Sequence, residues 1–113
     1  MKNIEQLVKP YIDLPLECDG LTRVISYILD KNNIKHKTCI GLISNKKDKE
    51  VEHYWIELPD GRYIDYRAKM WLGDDESVPN GIFNPENYKE TEYKYLKKTD
   101  LNTSEYIFRI LTV

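Results

Sequence analysis

Cysteine is scarce in this chain, with two residues, Cys18 and Cys39, among 113. Two thiols cannot build the cross-linked framework of a small secreted domain, so reduced thiols and a cytoplasmic setting are expected. Long apolar runs are missing too. The opening MKNIEQLVKPYIDL is interrupted by charge and proline, so it reads neither as a signal peptide nor as a membrane span, and no membrane partner is expected. No sign of charge dominates: 17 Lys and Arg against 19 Asp and Glu leave a net charge of -2. That balance gives no overall pull toward nucleic acid. Cys-x-x-Cys and His-x-x-x-His spacings are absent, so neither a metal nor another cofactor is called for. Repeats, low-complexity segments and linkers are lacking as well, and the length suits one domain spanning 1–113.

Tyrosine is what the chain has in quantity: nine, beside two phenylalanines and two tryptophans. Rings with polar tips suit half-buried strands and the walls of a groove. Asn3 and Gln6 resemble a loose capping box, and Ile4, Leu7, Val8 and Tyr11 recur at helical spacing, which predicts a short helix ending near Pro10. Pro15 keeps the following IDLPLE extended. From Asp19 to Leu29 the pattern is a second helix, with Leu21, Val24, Ile25, Ile28 and Leu29 on one stripe and Asn32 and Asn33 as left-handed terminators. TCIGLIS predicts a strand over 38–44. After a lysine-rich loop come two hairpin arms, near 51–58 and 62–67, and a further strand near 91–97. WLGDDESVPNGIFNPEN is dense in turn residues and reads as a structured loop folded over one side of the sheet. EYIFRILTV suits a closing helix capped by Asn102 or Thr103, or alternatively a strand. Helices followed by a small antiparallel sheet make an α+β domain.

The hairpin HYWIELPDGRYIDY carries the first chemical signal. Pro59 and Asp60 suit the corners of a type I turn, and Gly61 supplies the left-handed residue of a bulge. That three-residue loop pairs Glu57 with Tyr63 and Ile56 with Ile64. Side chains alternate along a strand, so His53, Trp55, Glu57, Tyr63 and Asp65 share a face. His53 and Asp65 become diagonal neighbours roughly 7 Å apart at the backbone, close enough for the carboxylate to hold the imidazole. A two-residue loop would put them on opposite faces.

A nucleophile for this pair is available in ECDG. Cys18 stands at the start of the second helix, where the positive end of the macrodipole and free N–H groups favour a thiolate and an oxyanion. Cys39, mid-strand among Ile40, Leu42 and Ile43, reads as core. His36, flanked by Lys35 and Lys37, reads as solvent-exposed. Tyr54, Trp55, Tyr66 and Trp71 are the rings assigned to a substrate wall, with Phe83 beside them, and Glu57 reads as structural.

Cysteine before a helix, then HYWIEL, then RYIDYR resembles the transglutaminase-like branch of the papain-like cysteine enzymes, whose strand motif is H-x-W-x-E with an aspartate on the next strand. The arrangement is also similar to that of arylamine N-acetyltransferases. The resemblance spans about residues 14 to 67. It implies a papain-like core, with Cys18 as nucleophile, His53 as general base and acid, and Asp65 as its orienter. The expected activity is acyl-group chemistry on a protein, peptide or small amide or thioester, by hydrolysis, deamidation or transfer. The other reading is a non-catalytic interaction or inhibitor protein on the same fold.

Overall fold

The computed structural model describes residues 3–99, 101 and 103–113. Helix α1, Ile4–Val8, starts under the Asn3 side chain, which accepts from the Gln6 N–H at 3.3 Å. A 3-10 turn, Lys9–Tyr11, takes over where Pro10 cannot continue an α-helix. Helix α2, Cys18–Lys31, buries all five residues of the predicted stripe and extends the predicted 19–29 at both ends. It stops where Asn33 turns left-handed, at φ 57, while the Asn32 side chain donates to the Ile28 carbonyl at 2.8 Å.

Five strands follow: β1 Lys37–Ser44, β2 Glu50–Glu57, β3 Tyr63–Asp65, β4 Gly81–Phe83 and β5 Glu92–Lys98. They form one sheet in the order β4-β3-β2-β1-β5, every neighbouring pair antiparallel. The β2–β3 register has Ile56 opposite Ile64 and Glu57 opposite Tyr63. Its turn closes through Leu58 N–H to Arg62 carbonyl at 2.8 Å and Gly61 N–H to Leu58 carbonyl at 2.9 Å. Gly61 sits at φ 91, the conformation the three-residue loop demands.

The region read as a loop is more ordered than its turn residues suggest. It holds the end of α3, Ala68–Leu72, then β4 and a 3-10 turn at Pro85–Asn87. A three-residue strand and one helical turn are too short to show periodicity, and turn-forming residues flank both. The chain closes as helix α4, Glu105–Leu111, so the strand alternative for this segment is excluded. Its cap is Ser104, whose hydroxyl accepts from Ile107 N–H; Thr103 does not cap it, and Asn102 lies outside the described residues. The architecture is α+β, and no described helix is long and apolar enough to cross a membrane.

The sheet separates two cores. On one face Ile56, Leu58 and Ile64 meet Val8, Leu21, Ile25 and Leu29. On the other Trp55, Cys39 and Ile43 meet Ala68, Leu72 and Val78, with Tyr63, Trp71 and Tyr93 partly buried against them. The alternation of β2 decides which residue goes where.

Candidate functional site

Cys18 is the first residue of α2, and the earliest backbone bond of that helix runs from Leu21 N–H to the Glu17 carbonyl at 2.9 Å. The N–H groups before it have no acceptor within the helix. The connector ahead of Cys18 is held by Arg67. Its guanidinium donates to the carbonyls of Leu16 at 2.6 Å, Ile12 at 2.8 Å, Leu14 at 2.9 Å and Tyr66 at 3.0 Å. Burial pulls the Arg67 guanidinium below its ordinary range, while Asp13, Asp65 and Cys18 pull the other way. Gly20 in the first turn lies against Leu16, 3.4 Å from where a side chain would begin.

His53 is completely buried in β2, and Asp65, at the end of β3, is 4 % exposed. His53 Nε2–H donates to Asp65 Oδ2 at 2.8 Å. The same oxygen accepts from the Tyr93 hydroxyl at 2.7 Å, and Oδ1 accepts from the Arg67 N–H at 2.9 Å. Three donors thus fix the carboxylate, and the carboxylate fixes the ring. The other ring nitrogen, Nδ1, is buried without a hydrogen-bond partner. Cys18, buried at 8 % exposure, lies close enough to raise the imidazole electrostatically, without a full hydrogen bond to Nδ1.

Burial by itself would push the His53 imidazole down. The Asp65 charge and hydrogen bond, joined by Cys18, outweigh it and carry the group up to about 9. At neutral pH the ring therefore holds its second proton. Cys39 behaves differently. It is fully buried mid-strand, and that burial pushes its thiol up to about 11.

Of the predicted site residues, the structure brings Cys18, His53 and Asp65 together and does not assemble the ring wall. Trp55 is fully buried, its indole lying over Gly41, where a side chain would meet Trp55 Cη2 at 2.6 Å. It is a core residue with no surface to offer a substrate, as is Phe83, 6 % exposed. Tyr66 packs with the α2-side core and Trp71 with the opposite one. Tyr54 alternates away from Trp55, so the four rings do not share one wall. Glu57 sits 3.6 Å from Lys37 as a surface ion pair.

His36 is a correction as well: its side chain is 6 % exposed rather than solvated. Its Nδ1 bonds the Ile34 carbonyl at 2.9 Å and its Nε2 the Ser26 hydroxyl at 2.7 Å, so the flanking lysines misrepresent its surroundings. Sequence reading missed Tyr93, and it offered Arg67 only as an ion-pair partner for Asp65, whereas the contact is through the Arg67 backbone N–H. Arg67 had a signal, standing two residues beyond Asp65. Tyr93 had none, because its place depends on β5 joining β1, with Tyr93 opposite Ile43. Among the described residues no three His, Cys, Asp or Glu side chains gather as metal ligands.

No protein-family model, no curated protein and no solved structure matches this chain.

Proposed function

We propose that this protein is a cysteine-dependent acyl-group enzyme of transglutaminase-like or papain-like type, acting on an amide or thioester through Cys18, His53 and Asp65. The observation that supports it most is the division of labour on one imidazole. His53 Nε2 is committed to Asp65 at 2.8 Å, while Nδ1 has no hydrogen-bond partner and the Cys18 thiol acts on the ring. The other imidazole of the chain, His36, has both nitrogens bonded, to Ile34 and Ser26.

The protonation state sets the order of steps. With the His53 imidazole up at about 9, the ring carries its second proton before substrate arrives, and the Cys18 sulfur is the attacking atom. A carbon–sulfur bond forms, and the carbonyl oxygen takes the negative charge beside the free N–H groups at the start of α2. The imidazolium gives its proton to the departing amine or thiol as that bond breaks, leaving a thioester on Cys18. His53, now neutral, takes a proton from water or an acceptor amine, which attacks the thioester and releases the sulfur. Asp65 orients the ring and stabilises the imidazolium whenever His53 carries the second proton.

One observation favours the second reading, a binding or inhibitor module without turnover. All three side chains are buried, and a groove of about 730 Å³ lies elsewhere, lined by residues such as Asn3, Ile34, Leu58, Arg62 and Ile82. The test is intact-protein mass spectrometry after incubation with a small activated ester or thioester. The enzyme reading predicts one acyl adduct, mapped to Cys18 and absent in Cys18→Ala and His53→Ala. No adduct from a panel of small acyl donors, in folded protein, favours the binding module.

A further inference from the structure

We propose that Tyr93 is a positioning residue of this site: its hydroxyl shares Asp65 Oδ2 with His53 Nε2 and sets how strongly the carboxylate holds the imidazole. The inference rests on the Cys18–His53–Asp65 reading and extends it to a strand on the other side of the sheet. The two bonds to the shared oxygen are nearly equal, 2.7 Å from Tyr93 and 2.8 Å from His53. The carboxylate cannot turn to separate them, because Oδ1 is held by the Arg67 N–H at 2.9 Å. The Tyr93 ring is fixed in turn, edge-on to Trp55 at 5.1 Å and to Tyr63 at 5.2 Å. A hydroxyl this constrained is aimed at one acceptor.

The consequence follows from competition for that acceptor. A Tyr O–H bond to the carboxylate withdraws charge that would otherwise attract the imidazolium. With it, the carboxylate is solvated even when His53 is neutral; without it, a buried anion depends on His53 alone. The groups acting on the imidazole are few. Asp65 faces it from β3 and Cys18 from α2; Tyr93 on β5 acts through Asp65. Arg67 lies beyond them, coupled to both Asp65 and Cys18, and Tyr63 acts on Tyr93. Tyr93→Phe removes the hydroxyl bonded to Asp65 and leaves its ring contacts in place.

The experiment is an NMR titration of the His53 imidazole in wild type and in Tyr93→Phe. Loss of the competing donor moves the midpoint up by about half a pH unit or more. Tyr63→Phe, which strips a hydroxyl from a ring packed against Tyr93, leaves it in place. A general loosening of the site would act in the opposite sense, letting water in and returning the midpoint toward 6.5, the ordinary histidine value. A midpoint that falls in Tyr93→Phe, or stays put, overturns the role given to Tyr93. Should Tyr93→Phe not fold, 3-fluorotyrosine placed at position 93 keeps the ring and strengthens the donor, and the midpoint then moves down; no movement again overturns the proposal. The two claims fail separately. Acylation or alkylation of Cys18 indifferent to His53→Ala removes the enzyme reading, whereas an unmoved His53 midpoint removes only Tyr93.

Discussion

The two faces of the sheet have different compositions for different reasons. The face under α2 is aliphatic: Ile56, Leu58 and Ile64 against Leu21, Ile25 and Leu29. The other face is built from rings with polar tips, and it contains the imidazole and the carboxylate. Apolar burial on the first face is non-directional and tolerates conservative exchange. On the second, buried polar atoms need partners, and three ring nitrogens among the described residues lack one. They are the indole nitrogens of Trp55 and Trp71, and His53 Nδ1, which alone among them can exchange a proton near neutral pH. One face supplies stability, the other spends part of it on a defined geometry.

Substitutions that break this contrast should be most severe where the faces meet the edge strand. Gly41 pairs with His53 and also with Tyr95, and a side chain there would lie 2.1 Å from the Lys94 carbonyl oxygen and 2.6 Å from Trp55. Gly41→Ala should therefore prevent β5 from pairing, with a loss of about 3 kcal/mol or more, read from urea unfolding. Asp65→Asn should come next. Removing one partner of a buried pair costs about 3–5 kcal/mol, and here the cost should depend on pH. His53 is raised from 6.5 to about 9, so the pair's contribution is complete below 6.5 and fades as pH rises through 9. The gap between wild type and Asp65→Asn in chemical denaturation should accordingly be wider at pH 6.5 than at pH 9.5.

Leu29→Ala sharpens the contrast from the other side. Leu29 is fully buried under the aliphatic face, and its truncation should cost about 2–5 kcal/mol. That loss should be the same at pH 6.5 and pH 9.5, and the folded protein should keep its Cys18 reactivity. Arg67→Lys should show the smallest effect on stability, about 1–3 kcal/mol from lost bonds to carbonyls. An ammonium cannot span the Ile12, Leu14, Leu16 and Tyr66 carbonyls together. Its signature should be slower modification of Cys18 in protein that is still fully folded at the assay temperature, because the connector before the thiol loses its clamp.

The parts of the fold legible in the sequence were those with a long period or a specific turn. The α2 stripe, the β1 run and the Pro59-Asp60-Gly61 turn each carried their own evidence, and the turn placed His53 and Asp65 on one face. What could not be read depended on contacts between distant segments. Nothing local announces that β5 adds to β1 and brings Tyr93 to Asp65, or that Ser26 shelters His36. Exposure was the weakest inference: lysines on either side of His36 and a wall of rings around Trp55 both suggested surface where the packing is interior.

The account stands on the Cys18 sulfur owing its reactivity to the His53 ring. Selectivity over Cys39 is a poor test, since that thiol is fully buried and pushed up to about 11. The direct measurement is the alkylation rate of Cys18 by iodoacetamide at pH 7, in wild type and in folded His53→Ala. Loss of the imidazole should slow it by about an order of magnitude or more; equal rates in the two proteins would contradict the account.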